Sequence, residues 1–166
     1  MSGIVVYRSS YGSTEQYAEW IGEETGYTVH DIREKAIPWE RADTVVIGSP
    51  ILANKPVLAG WMKANWDRMK AKRVVLFTTS GADPAVAPAQ EWAESPFSEE
   101  MRTTIRFFPL AGRFDYASLS GLHKAMIWFA AVVLRNKDVK YQMKNPVDGV
   151  AKQNLTPLLE SLRPSA

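Results

Sequence analysis

Ser9-Ser10-Tyr11-Gly12-Ser13-Thr14 follows the apolar, β-branched run of residues 3–7 across Arg8 and opens a stretch of helical spacing over residues 14–25. A phosphate held in such a strand-to-helix turn meets the unsatisfied amides and the positive dipole end of the helix. Ser9, Ser10, Ser13 and Thr14 add hydroxyl donors, and Gly12 lets the backbone approach closely, so no lysine or arginine is required. The pattern lacks the further glycines of a dinucleotide fingerprint and the Gly-Lys-Ser/Thr end of a Walker loop, so a mononucleotide phosphate fits better. The plainer reading of the same letters is a hydroxyl-rich turn that caps the helix at Ser13.

Working outward, short apolar runs bounded by turn or polar residues predict strands at 3–7, 27–32, 44–48, 73–79 and 105–110. Helical spacing predicts helices over 14–25, 57–69, 98–104, 119–135 and 147–162, with Gly26 stopping the first and Pro56 opening the second. Residues 33–42, with Pro38, read as a loop with a brief helical turn. Strands separated by helices need right-handed crossovers, which give a parallel sheet covered on both faces. The expected fold is therefore α/β: one domain over residues 1–166, a three-layer sandwich around a five-stranded parallel sheet of order 2-1-3-4-5.

Composition narrows the chemistry. With 46% hydrophobic and 23% charged residues the chain is of ordinary globular usage. The absence of cysteine excludes disulfides and thiolate chemistry and suits a reducing compartment. Any redox chemistry then needs a borrowed cofactor. No secretory signal is read at the amino terminus, and the longest apolar run, residues 125–134, is too short to span a bilayer. The expected location is the cytoplasm, with a peripheral position on the inner face of the membrane kept open by the charge pattern below.

Two further loops fall at strand ends: Pro50, Ile51, Leu52, Ala53 and Asn54 after Gly48-Ser49, and Thr78, Thr79, Ser80 and Gly81. In an open parallel sheet, ligands bind outside the carboxyl ends of the strands at the switch point, here between the first and third strands. All three loops are expected to converge there. The proline-bearing stretch 82–96 is expected to overhang the site.

On these residues the sequence resembles the flavodoxin superfamily. Ser9 to Thr14 matches its Ser/Thr-x-Thr-Gly-x-Thr phosphate loop, with Tyr11 as a variant, and the Gly-Ser-Pro and Thr-Thr-Ser-Gly segments match its flavin-flanking loops. The order of elements through residue 135, and the extension Ala111-Gly112-Arg113-Phe114-Asp115-Tyr116 leading into a long apolar helix, look most like the branch that contains menaquinone-dependent protoporphyrinogen oxidase. The resemblance implies bound flavin mononucleotide (FMN). Its phosphate would meet Ser9, Ser10, Gly12, Ser13 and Thr14, and its ring would meet Pro50 to Asn54 and Thr78 to Gly81. One departure concerns stacking: Ile51, Leu52 and Ala53 supply no aromatic, leaving Trp92 and Phe97 as candidates for the other ring face. Weak stacking argues against a strongly reducing carrier.

Net charge is only +2, yet residues 101–145 hold eight Lys/Arg against two Asp/Glu. The helix of 119–135, with Leu122, Met126, Ile127, Phe129, Val133 and Leu134, is expected to pack on the sheet by its apolar periodicity. The sharper alternative is contact of this basic, apolar segment with an anionic membrane or acidic partner. Arg113, near the expected flavin, is the candidate contact for a substrate carboxylate. Nucleic-acid binding is not expected, since no accompanying motif is present. His30 and His123 stand apart from other metal-ligating residues in sequence, so no metal site is expected. Ser80 lacks a nucleophile elbow.

The expected function is thus an FMN-dependent oxidoreductase linked to a quinone or porphyrin-type substrate, with FMN and a redox partner protein or quinone as partners. A soluble flavodoxin-type electron carrier and a non-catalytic interaction module that has kept the fold stay open beside it.

Overall fold

The computed structural model describes residues 2–34, 36–85 and 87–163. Met1, Lys35, Val86 and residues 164–166, which the whole-chain domain assignment includes, lie outside the described residues. Five parallel strands carry the fold: β1 (Gly3–Tyr7), β2 (Thr28–Asp31), β3 (Thr44–Leu52), β5 (Arg73–Ser80) and β6 (Arg106–Ala111). Their order, β2-β1-β3-β5-β6, is the expected 2-1-3-4-5 when only these five are numbered. A short sixth strand, β4 (Lys55–Pro56), folds back antiparallel on the end of β3.

Each strand alternates between two cores because successive side chains point to opposite faces. On one face Ile4, Val6, Val45, Ile47, Val74 and Leu76 pack against α2 (Ala59–Ala64), α3 (Trp66–Met69) and α5 (Glu99–Thr104) through Met62, Trp66, Met69 and Met101. On the other, Val5, Val46, Val75 and Phe77 pack against α1 (Ser13–Thr25) and α8 (Thr156–Leu162) through Tyr17, Ala18, Ile21, Leu158 and Leu162. Tyr17 also ties three elements together: its hydroxyl donates to the Ala111 carbonyl at 2.7 Å and accepts from the Asn154 amide at 2.7 Å.

Two expected helices take a different form. Instead of opening a helix, Pro56 lies in β4, because the Val57 amide donates to the Pro50 carbonyl at 3.0 Å and the Leu58 amide to Ser49 Oγ at 3.0 Å. The helical stretch also breaks at Asn65, whose side-chain amide bonds the Trp61 carbonyl. The segment 147–162 begins as β8 (Val147–Asp148), paired with β7 (Arg113–Phe114), and turns helical only at Lys152.

The largest departure is α6 (Gly121–Val132), which does not pack on the sheet. Leu122, Trp128, Phe129, Val133 and Leu134 are 72%, 51%, 50%, 51% and 66% exposed. The reason is geometric: α1 and α8 occupy one face of the sheet and α2, α3 and α5 the other. Arg135, with φ of 51°, ends this helical stretch, and α7 (Lys137–Lys144) then folds back beside α6.

Candidate functional site

A cleft of about 280 Å³ opens at the carboxyl ends of the strands, between β1 and β3. Its floor is the turn after β1. Gly12 adopts a left-handed conformation, φ 87°, and starts α1 without any side-chain cap. Its amide donates to Ser9 Oγ at 3.0 Å. Ser13 does not cap the helix either, because its Oγ accepts the Arg113 amide at 3.0 Å. Thr14 Oγ pairs with Thr79 Oγ at 2.8 Å beneath the cleft. The first-turn amides of α1 are therefore left without a side-chain acceptor, the arrangement that favours an anion.

Of the residues singled out in the sequence, Ser9, Ser10, Tyr11, Ser13, Thr14, Pro50, Ile51, Leu52, Thr79, Ser80, Gly81 and Arg113 line this one cleft. Gly12, Ala53, Asn54 and Thr78 are not among its lining. Ala53 and Asn54 form the two-residue turn between β3 and β4, with φ of 50° and 60°. Thr78 is buried in β5. Among the described residues, the stretch 82–96, which holds α4 (Ala89–Glu94), contributes no lining residue to the cleft. Nor do Trp92 and Phe97 reach it; Phe97 belongs to the core against Phe107.

The cleft also contains residues the sequence reading did not assign to it: Arg8, Val57, Gly112, Phe114, Asp115, Ser118, Leu119, His123 and Ile127. Most come from the segment after β6, which crosses over the turn after β1. It packs tightly on the end of β5 as well: a Cβ on Gly112 would stand 2.8 Å from the Ser80 carbonyl oxygen, and one on Gly81 2.4 Å from Phe114 Cβ. The Gly112 amide donates to the Ser80 carbonyl at 2.6 Å. The two adjacent small residues at 111–112 were the one sequence signal for this crossing.

Arg113 brings a cationic group to the cleft. Its Nε donates to Asp148 Oδ2 at 2.9 Å, and its Nη1 lies 3.9 Å from where a Cβ on Gly12 would stand. The Asp148 carboxyl is held below its usual range, first by that bond and then by the Val150 amide. Beside the turn, the Tyr7 hydroxyl donates to Glu15 at 2.9 Å, and its pKa is pushed up to about 12 by burial and then by the Glu15 carboxylate. The His30 ring meets Glu34 at 2.9 Å, a neighbour the spacing did not suggest. Among the described residues no group of three or more His, Cys, Asp or Glu is placed to hold a metal ion.

Comparison with curated proteins finds no match. Among solved structures, the flavodoxin, WrbA-like protein from Agrobacterium tumefaciens is 18% identical at TM-score 0.50, over 67% of this chain and 83% of that one. The Trp repressor binding protein from Bacillus subtilis is 14% identical at TM-score 0.50, over 82% and 100%. A flavoprotein from Lactobacillus acidophilus NCFM, solved in complex with FMN, is 20% identical at TM-score 0.46, over 66% and 91%. The flavodoxin domain family model matches residues 4–140, most of the chain, and the protein belongs to that family.

Proposed function

We propose that the chain is a single-domain FMN-dependent redox protein that holds its cofactor in the cleft between β1 and β3. The observation that carries this reading is the convergence of three strand-end loops on an uncapped helix N-terminus. The uncapped amides of α1 and the hydroxyls of Ser9, Ser10 and Ser13 suit a phosphate. Pro50, Ile51 and Leu52 on one side, with Thr79, Ser80 and Gly81 on the other, suit a flat ring lying between backbone segments. The volume lies just under the roughly 300–1,000 Å³ of small-molecule clefts, in keeping with a ring left partly open to a partner.

When bound, FMN supplies one- and two-electron transfer, and the protein supplies orientation and electrostatics. Arg8 and Arg113 make the phosphate end cationic, while Tyr11, Phe114 and His123 are the aromatic groups at hand. An electron acceptor of quinone type, or a porphyrin-type substrate, is the partner class that suits an apolar cleft with a cationic end. The test is a visible absorption titration of the purified protein with FMN, followed by turnover of protoporphyrinogen with a menaquinone analogue. Shifted flavin bands support the cofactor site and turnover supports the oxidase branch; unchanged bands at high FMN overturn both.

A further inference from the structure

The α6–α7 hairpin has a composition that the flavin cleft does not account for. On α6, His123 and Ile127 turn toward the cleft and Ala131 is buried. Apart from Lys124, the rest of the helix surface is apolar: Leu122, Met126, Trp128, Phe129 and Val132 are all exposed, and Val133 and Leu134 continue the surface beyond its end. Contiguous exposed apolar surface of this kind marks an interaction site. Around it lie Lys124, Arg135, Lys137, Lys140 and Lys144, against a single acidic residue in the sequence from 119 to 145.

We propose that this hairpin docks the protein on an anionic membrane surface, with Trp128 and Phe129 entering the headgroup boundary and the α7 lysines meeting lipid phosphates. Trp, Phe and Leu beside Lys and Arg are the composition of interfacial helices. Self-association through the same patch is disfavoured by charge, because a two-fold interface sets each patch against its copy and brings two sets of cations together. The exposed apolar side chains of α6 form one broad stripe close to half of its circumference, which suits burial in a fluid layer.

The placement deepens the proposed function and, in that part, rests on it. Because His123 and Ile127 line the cleft from the same helix, docking α6 sets the cleft mouth beside the bilayer, where a lipid-soluble quinone resides.

The experiment is co-sedimentation of the full chain with vesicles of phosphatidylglycerol and phosphatidylcholine, and with phosphatidylcholine vesicles alone, at low and high salt. The intact protein is expected to pellet with the anionic vesicles at low salt and to be released as salt screens the lysines. The variants Trp128→Ser with Phe129→Ser, and Lys137→Glu with Lys140→Glu, are each expected to lower partitioning on the order of tenfold or more. Circular dichroism checks their fold. Absent vesicle binding at low salt, unchanged binding in both double variants, or a dimer dissociated by the Trp128/Phe129 pair would overturn the proposal. FMN titration of the same samples keeps the two readings apart: protein that pellets but binds no flavin supports docking while removing the redox reading.

Discussion

Tyr11 and His123, separated by 112 residues, meet edge-on at the mouth of the cleft with ring centroids 5.7 Å apart, and the Tyr11 hydroxyl is hydrogen-bonded to His123 Nδ1. The same hydroxyl accepts the Ser120 amide at 3.2 Å, so one side chain of the turn after β1 holds the start of α6. Replacing Tyr11 with Phe keeps the ring and removes both bonds. At about 0.5–1.5 kcal/mol net for each hydrogen bond, opening of α6 should become roughly tenfold more frequent. Amide hydrogen exchange should rise across α6 while β1, β3 and β5 stay protected. Unchanged exchange in α6 would show that the contact does not hold the helix.

Arg113 reaches the turn after β1 from the far edge of the sheet, and its position is set by Asp148 on the paired strand. Such a guanidinium should recognise the phosphate end of a flavin and leave the ring end untouched. Arg113→Gln is expected to weaken FMN on the order of tenfold, the lower part of the range for a charge-assisted bond because the group is solvent-screened. Riboflavin, which lacks the phosphate, should bind the variant and the parent alike. Equal losses for both ligands in a titration would point to a collapsed cleft, and no loss for FMN would remove Arg113 from the phosphate site.

Most of what periodicity governs was legible before the structure. The strands of residues 3–7, 44–48 and 73–79 are buried on both faces and read as apolar runs, and the glycine at 26 stops α1 in a left-handed cap. Loop chemistry at strand ends was readable because parallel topology fixes where those ends meet. What failed was the fate of α6: its apolar periodicity says that it buries a face, and nothing local says that five other helices already cover the sheet. The contribution of Gly112, Phe114 and His123 to the cleft was hidden for a related reason, since it depends on a chain crossing between distant segments. Ala53 and Asn54 illustrate the converse, being read as contacts from their neighbours in sequence when hairpin geometry turns them away from the cleft lining.

The Tyr7 phenol offers a pH test of the packing beside the turn after β1. Its pKa rises from 10.0 to about 12 in the folded protein, through burial first and the bond to Glu15 second. A raised pKa means that the folded state holds this proton more tightly than the unfolded chain. The resulting stability is complete below pH 10, declines as the unfolded phenol ionises, and is gone once pH passes about 12. Denaturant midpoints of the parent and of Tyr7→Phe should therefore draw together as pH rises through this window. A constant gap between them would mean that Tyr7 titrates as an ordinary phenol.

The turn at Ala53-Asn54 separates a structural role from a cofactor role. A two-residue hairpin of this kind needs positive φ at both positions, and Ala53 adopts 50° despite its Cβ. That conformation costs a non-glycine residue about 1–2 kcal/mol, of which the greater chain entropy of glycine in the unfolded state takes back roughly half. Ala53→Gly should then raise stability by about 0.5–1 kcal/mol, read as a higher denaturant midpoint at unchanged slope. FMN affinity should stay the same, because Ile51 and Leu52 line the cleft and Ala53 does not. A fall in affinity with improved stability would restore Ala53 to the cofactor contacts its sequence position suggested, and a fall in both would show that the turn prefers its alanine.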